Sequence, residues 1–297
     1  MSYYIFHPFI TAPLLLLALV FVQAKSKFNT ALNIFTVGLY TFIIYKIIPW
    51  PNYGTYYLSY FYILLFLSAL VRPITKFKTL PVFSRKFPRR WLFRLFGFIK
   101  ALTLIFLLLV FSKLITSSTE EVQTFDLEFP LKNGTYYITN QHDDFQEQYA
   151  YDITKLDTWG REWNNNFLKP DDLEFYNIFK DTVYSPCNGR VSEVIENCLD
   201  HSIGKLDDFK VPSNKIVIQV DNKSIELLHL LNNSVFVNIG DTVTVGQAIA
   251  LVGNSGMSKY PHLHINAYRN DVLLQYPPSI MISFNGKIPI INNLFQN

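Results

Sequence analysis

Two histidines one residue apart, in Pro261-His262-Leu263-His264-Ile265, are the residues whose type and spacing most directly suggest chemistry. On a strand, side chains alternate between faces, so His262 and His264 share one face and Leu263 and Ile265 the other. The apolar pair can anchor the strand in a core and leave two imidazoles side by side on an open face. Imidazole is a common metal ligand that titrates near neutrality. One ring can then ligate an ion while the other sits beside it. A pair of surface histidines on a strand edge is the plainer alternative.

Three further residues bear on that choice. Asp152 lies in the strand-like Tyr149-Ala150-Tyr151-Asp152-Ile153. An acid among apolar neighbours needs a partner, which a metal, an Arg or a Lys would provide. His142, in Asn140-Gln141-His142-Asp143-Asp144, is either a ligand or an exposed loop residue. His229, in Leu227-Leu228-His229-Leu230-Leu231, reads on its own as a core histidine bonded to a carbonyl. The two cysteines exclude a disulfide-dense miniprotein and a four-cysteine zinc module. Outside the cytoplasm Cys187 and Cys198 could pair, or stay as two free thiols in neighbouring strands.

The elements that would position these side chains are short alternating runs between turn residues. Lys215–Asp221, Ser224–Leu231, Thr242–Val245, Ala248–Val252 and His262–Ala267 read as strands. Asn232-Asn233, Gly240-Asp241, Gly246-Gln247 and Gly253-Asn254-Ser255-Gly256 read as turns. This spacing predicts an all-β antiparallel sandwich or barrel. Residues 155–182 are less regular and read as a long insertion or loop.

In this setting the C-terminal half resembles the lysostaphin/LytM-type zinc metallopeptidases, cell-wall endopeptidases with a duplicated-hybrid-motif (barrel-sandwich-hybrid) β fold. The resemblance rests on Tyr149–Ile153, Ser185-Pro186-Cys187-Asn188-Gly189-Arg190-Val191, Leu228-His229-Leu230, Gly240-Asp241-Thr242-Val243-Thr244-Val245-Gly246-Gln247, Gly253-Asn254-Ser255-Gly256 and Pro261–His264. It covers roughly residues 130–275. It implies Zn2+ held by His142, Asp152 and His264, with His229 and His262 flanking the attacking water and the scissile carbonyl. Three protein ligands leave a fourth position open, as a catalytic zinc site requires. The usual first motif is His-x-x-x-Asp, but four residues before Asp152 this chain has Gln148. His142 is therefore the expected third ligand, with His201 and Asp144 as substitutes. If none of them ligates, the domain is a non-catalytic relative.

The other half of the chain lives in a different solvent. Residues 1–118 hold 13 Lys and Arg and no Asp or Glu, whereas residues 119–297 hold all 23 acids and the other 13 basic residues. A basic region can face nucleic acid or a membrane. Here it is also the apolar region, which favours the lipid bilayer and excludes a nucleic-acid partner. Four stretches approach the length of about 20 residues that a spanning helix needs: Ile5–Ala24, Phe28–Ile48, Tyr53–Val71 and Leu95–Ile115. The first could instead be a signal peptide cleaved after Val22-Gln23-Ala24, although no Lys or Arg precedes it. Eight Lys and Arg between Arg72 and Arg94 place that loop in the cytoplasm by the positive-inside rule. Four crossings then put residue 119 outside.

The expected organisation is a helical transmembrane domain over residues 1–118 and an extracytoplasmic β peptidase domain over residues 119–297. The expected function is a membrane-anchored zinc metalloendopeptidase (a hydrolase) acting on peptidoglycan peptides. A membrane partner protein would explain why there are more helices than a tether requires. A non-catalytic binding or regulatory module on the same fold is the alternative. A transporter ranks lower, because the helices offer no ion-coupling carboxylate.

Overall fold

The computed structural model describes residues 14, 16–17, 26–48, 50–53, 55–83, 104–105, 108–109, 124–141, 149–164, 169–204, 212–270 and 279–297. The chain divides into two compact units: Met1–Ile48 with Tyr57–Glu121, and Pro49–Tyr56 with Val122–Asn297.

The first unit contains α1 (Lys27–Ile47) and α2 (Leu58–Phe77). Ser26 caps α1 by accepting the Asn29 N–H at 3.2 Å, which satisfies one of the donors a helix start leaves open. Lys27–Lys46 and Leu58–Phe77 are each long and apolar enough to cross a membrane. Phe28, Phe35, Phe42, Phe61, Leu64 and Leu67 are exposed along them. The expected stretches Ile5–Ala24 and Leu95–Ile115 lie largely outside the described residues, as do five of the eight basic residues between Arg72 and Arg94.

The second unit is built from twelve strands among the described residues: β1 (Phe125–Leu127), β2 (Thr135–Gln141), β3 (Tyr151–Leu156), β4 (Thr182–Tyr184), β5 (Gly189–Ile195), β6 (Lys215–Val220), β7 (Lys223–Leu228), β8 (Thr242–Val243), β9 (Ala248–Leu251), β10 (Leu263–Arg269), β11 (Ile282–Phe284) and β12 (Leu294–Gln296). Eight of them form one antiparallel sheet in the order β12-β2-β3-β10-β7-β6-β5-β8. β4 and β9 form an antiparallel pair, and β1 and β11 a parallel one. The parallel pair departs from the all-antiparallel expectation. It arises because the chain leaves β1, builds the whole sheet, and returns alongside it only at residue 282.

Alternation decides the core. Ile138, Ile153, Ile216, Ile218, Ile225, Leu227, Leu263 and Ile265 are fully buried in one apolar cluster. Each such side chain contributes roughly 1.5–3 kcal/mol on burial. The turn between β6 and β7 is tight, with Asp221 at a φ of 52°, as a two-residue hairpin connection demands.

The stretch read as a long insertion or loop has fixed structure over its described residues. Asp157 Oδ1 accepts the N–H groups of Trp159 and Arg161 at 2.8 and 2.9 Å. Trp163 bridges to Tyr176 across a short 3-10 turn at Leu173–Phe175. Glu162, Trp163, Tyr176 and Ile178 are all buried. Aromatic packing rather than periodicity orders this segment, so no helix or strand pattern marks it. Cys187 and Cys198 are both unbonded, and burial pushes the Cys187 thiol up to about 11.

Candidate metal centre

β10 occupies the middle of the large sheet, between β3 and β7. Leu263 and Ile265 enter the core, which turns His264 to the opposite face. The antiparallel register sets His264 directly across from Asp152 on β3, and residues paired this way point to the same side. His264 Nδ1 lies 2.9 Å from Asp152 Oδ1. His262 Nε2 lies 3.4 Å from the same oxygen.

β7 flanks β10 on its other edge, with Leu228 facing His264. The strand ends there. His229 follows with a φ of 62°, in the left-handed region that non-glycine residues seldom adopt. Holding a residue in that region costs on the order of 1–3 kcal/mol and is typical of functional sites. The His229 ring comes to rest 4.6 Å from the His262 ring and 5.8 Å from the His264 ring, centroid to centroid. The core histidine that the sequence suggests is thus buried, but it belongs to the site.

Backbone carbonyls set the tautomers. His229 Nδ1 is 2.8 Å from the Ser255 carbonyl oxygen, and the Ser213 hydroxyl lies 3.0 Å away. A carbonyl only accepts, so Nδ1 carries the proton and Nε2 keeps its lone pair. His262 Nδ1 donates in the same way to the Tyr260 carbonyl at 2.8 Å, beside the Ser258 hydroxyl at 3.2 Å. Its Nε2 is then the atom turned toward Asp152. Burial holds the His229 pKa well below the ordinary imidazole value, and the neighbouring His262 and His264 reinforce the shift.

The Ser255 carbonyl is itself held in place. The Ser255 hydroxyl donates to the Leu230 carbonyl at 2.7 Å and accepts the Asn214 N–H at 3.0 Å. The Asn214 side-chain amide donates to the Leu230 and Cys198 carbonyls. Asp200 accepts the N–H groups of Asn254 and Asn232, at 2.5 and 3.0 Å. Ser213, Asn214, Ser258 and Asp200 are not legible as site residues in the sequence. Only the Gly253–Gly256 turn signal points toward this region.

Of the expected ligands, Asp152 and His264 come together. His142 and its substitute Asp144 lie outside the described residues. His201 is tied to Asn254 by two hydrogen bonds, at 3.1 and 2.8 Å, and is not part of the histidine cluster. The donor set present fits a metal. His229, His262 and His264 each offer a ring nitrogen, all within 4.8 Å of one another. Two ligands on a tetrahedral zinc stand about 3.3 Å apart, given metal–ligand distances near 2.0–2.1 Å. The separations around Asp152 Oδ1 are close to that.

Glu162 lies beside this centre and is fully buried. Burial raises its carboxyl to about 7, against the opposing pull of Lys169 and then His262. Because the folded chain holds this proton more tightly than the unfolded chain, stability should fall as pH rises from about 4.5 to about 7 and then level off. Glu162→Gln should remove that fall and raise stability at pH 8 by up to about 3 kcal/mol, with little change at pH 4.5. Denaturant melts at the two pH values test this. An unchanged pH dependence in the variant would show that another group titrates.

Residues 174–275 match the family model described as Peptidase family M23. Solved structures similar to the chain include the catalytic domain of the antimicrobial peptidase lysostaphin from Staphylococcus simulans. It is 17% identical, covers 50% of this chain and 88% of its own, and has a TM-score of 0.30. The M23 metalloprotease pseudoalterin from the deep sea is 15% identical, with coverages of 59% and 100% and a TM-score of 0.36. A zinc-containing peptidase from Vibrio cholerae is 19% identical, with coverages of 55% and 38% and a TM-score of 0.28. A comparison with curated proteins finds no match. M23 metallopeptidases are zinc-dependent, and the histidine cluster is one that could bind such an ion. Residues 174–275, the stretch that matches the peptidase family M23 model, contain His229, His262 and His264, with Asp152 on the strand paired to β10.

Proposed function

We propose that the chain is a membrane-anchored zinc metalloendopeptidase that cleaves peptidoglycan peptides outside the cytoplasm. The observation that carries this reading is the convergence of Asp152, His264, His262 and His229 from three neighbouring strands. Asp152 and His264 hold the zinc, and His142 supplies the third ligand. When bound, zinc contributes Lewis acidity toward a carbonyl and lowers the pKa of a water toward about 7.

The remaining work falls to the protein. His229, kept neutral by burial and fixed by the Ser255 carbonyl, presents Nε2 as a proton acceptor for the attacking water. His262, fixed by the Tyr260 carbonyl through Nδ1 and set beside the Asp152 carboxylate, would stabilise charge that develops on the scissile carbonyl oxygen in its imidazolium form, with a second proton on Nε2 as the donor. Both rings are held on their Nδ1 side, so neither has to reorient during the reaction. The multi-pass helical domain, with the exposed apolar faces of α1 and α2, anchors this site at the bilayer and offers a surface for a membrane partner.

One observation favours a second ligand set. His229, His262 and His264 cluster within ligating distance of one another, and metal-bound histidines commonly donate their other N–H to a carbonyl, as His229 and His262 do. Zinc content of the purified full chain decides between the sets. We expect about one zinc per chain, lost in His142→Ala, Asp152→Ala and His264→Ala, with hydrolysis of purified peptidoglycan lost in parallel. Zinc retained in Asp152→Ala but lost in His229→Ala would assign the three-histidine set. Absence of zinc from the metal-replete parent protein would leave a non-catalytic module.

A further inference from the structure

The segment that joins α1 to α2 is part of the β unit, although nearly 70 residues of sequence separate it from β1. Trp50 is only 1% exposed. The Tyr56 N–H donates to the Gly160 carbonyl at 2.7 Å, and the Thr55 hydroxyl donates to the Trp159 carbonyl at 2.5 Å. The Tyr56 ring meets the fully buried Tyr137 of β2 edge-on, with centroids 5.9 Å apart. Gly160 has a φ of 69°, and a Cβ there would stand 3.0 Å from Tyr56 Cβ and 3.1 Å from Thr55 Oγ1. A glycine is needed at that position both for the backbone angle and for the close approach.

We infer that Trp50–Tyr56 is a built-in piece of the peptidase fold, and that this docking fixes the membrane topology of the whole chain. The inference rests on the reading of α1 and α2 as spanning helices. Their 21 and 20 residues reach about 30 Å at 1.5 Å per residue, the thickness of a bilayer core. α1 leads into the docked segment and α2 leads out of it. Residues 122–297, which share a compact unit with that segment, must lie on the same side of the membrane. α2 carries the chain away from that side, so the chain must recross before β1 begins at Phe125. Leu95–Ile115 is the apolar stretch of sequence available for the crossing.

Charge bias leads to the same sidedness by an independent route, since the basic residues between Arg72 and Arg94 fall on the opposite side from the β unit. The peptidase unit is thereby tied to the membrane region through three chain connections, at Ile48, Tyr57 and Val122, rather than through one flexible tether.

The test uses the full chain in cell membranes, with Cys187→Ala and Cys198→Ala as background. Trp50→Ala with Tyr56→Ala should make the Trp50–Tyr56 segment cleavable by limited proteolysis in the detergent-solubilised full chain, whereas the parent protein resists cleavage there, because both anchoring rings are gone. Cleavage of the parent at this segment would overturn the docking. In the same background, Leu199→Cys should react with a membrane-impermeant thiol reagent in intact cells. Ser84→Cys should react only after permeabilisation. Labelling of both from one side would overturn the return crossing. Retention of the protein in alkali-washed membranes is the separate control. Release would refute the spanning reading itself and leave the docking to be judged by proteolysis.

Discussion

His262→Ala is expected to lower kcat on a peptidoglycan peptide by about 10²–10³, the usual cost of removing a group that stabilises the developing oxyanion, while zinc content stays near one per chain. The expectation follows from how the ring is held. Its Nδ1 proton is committed to the Tyr260 carbonyl at 2.8 Å, which leaves Nε2 as the nitrogen that would meet the developing charge. That atom sits 3.4 Å from Asp152 Oδ1, outside the pair that Asp152 and His264 make at 2.9 Å. Losing the ring should therefore reduce turnover more than it raises KM. Because the ring is buried and its loss leaves the Tyr260 carbonyl without this donor, the melting temperature should drop somewhat, so kcat is compared well below it. A variant that loses zinc together with activity would move His262 into the ligand set, and the three-histidine arrangement would replace the one proposed. A variant with full activity would exclude His262 from catalysis altogether.

The sequence made part of this site legible and hid the rest for identifiable reasons. The pairing of imidazoles at His262 and His264 could be read because strand alternation is local. β6 through β10 fall where alternating runs and glycine turns place them. The Asp152–His264 contact depends on the register between β3 and β10, which are more than a hundred residues apart in the chain. No local pattern encodes such a register. Read from its neighbours alone His229 looks like an ordinary strand histidine, because nothing in Leu227–Leu231 announces that β7 ends at Leu228 and that the next residue turns left-handed; the family resemblance is what placed it at the site. Glu162 and Trp50 were missed for a similar reason. Both owe their burial to contacts between segments that lack periodicity of their own. The helical half was read from apolar length and charge bias. Two of its stretches correspond to α1 and α2, and the others lie largely outside the described residues.

Gly253→Ala should be the most damaging single-methyl change in the peptidase unit, at about 3 kcal/mol or more of stability. A Cβ at this position would lie 2.4 Å from Leu231 Cα, 2.5 Å from Leu231 N and 2.4 Å from Asp200 Oδ1. Two of those atoms are backbone, so no rotamer change relieves the clash and the chain itself must move. Overpacking of a filled site typically costs 1–3 kcal/mol. Here the displacement also strains the hydrogen bond from the Gly253 N–H to the His229 carbonyl at 2.9 Å. It loosens the Asp200 clamp on Asn254 and Asn232 as well. The same movement shifts Ser255, whose carbonyl orients His229. Activity should therefore fall further than the loss of folded protein explains, even at a temperature where the variant is fully folded. Denaturant unfolding together with kcat measured well below the melting temperature separates the two effects. Asp200→Asn provides the comparison, because it weakens the clamp without adding a methyl group. It should lose less stability than Gly253→Ala yet show the same kind of excess activity loss. If both variants lost activity only in proportion to their unfolding, the turn would be a structural support with no part in aiming His229.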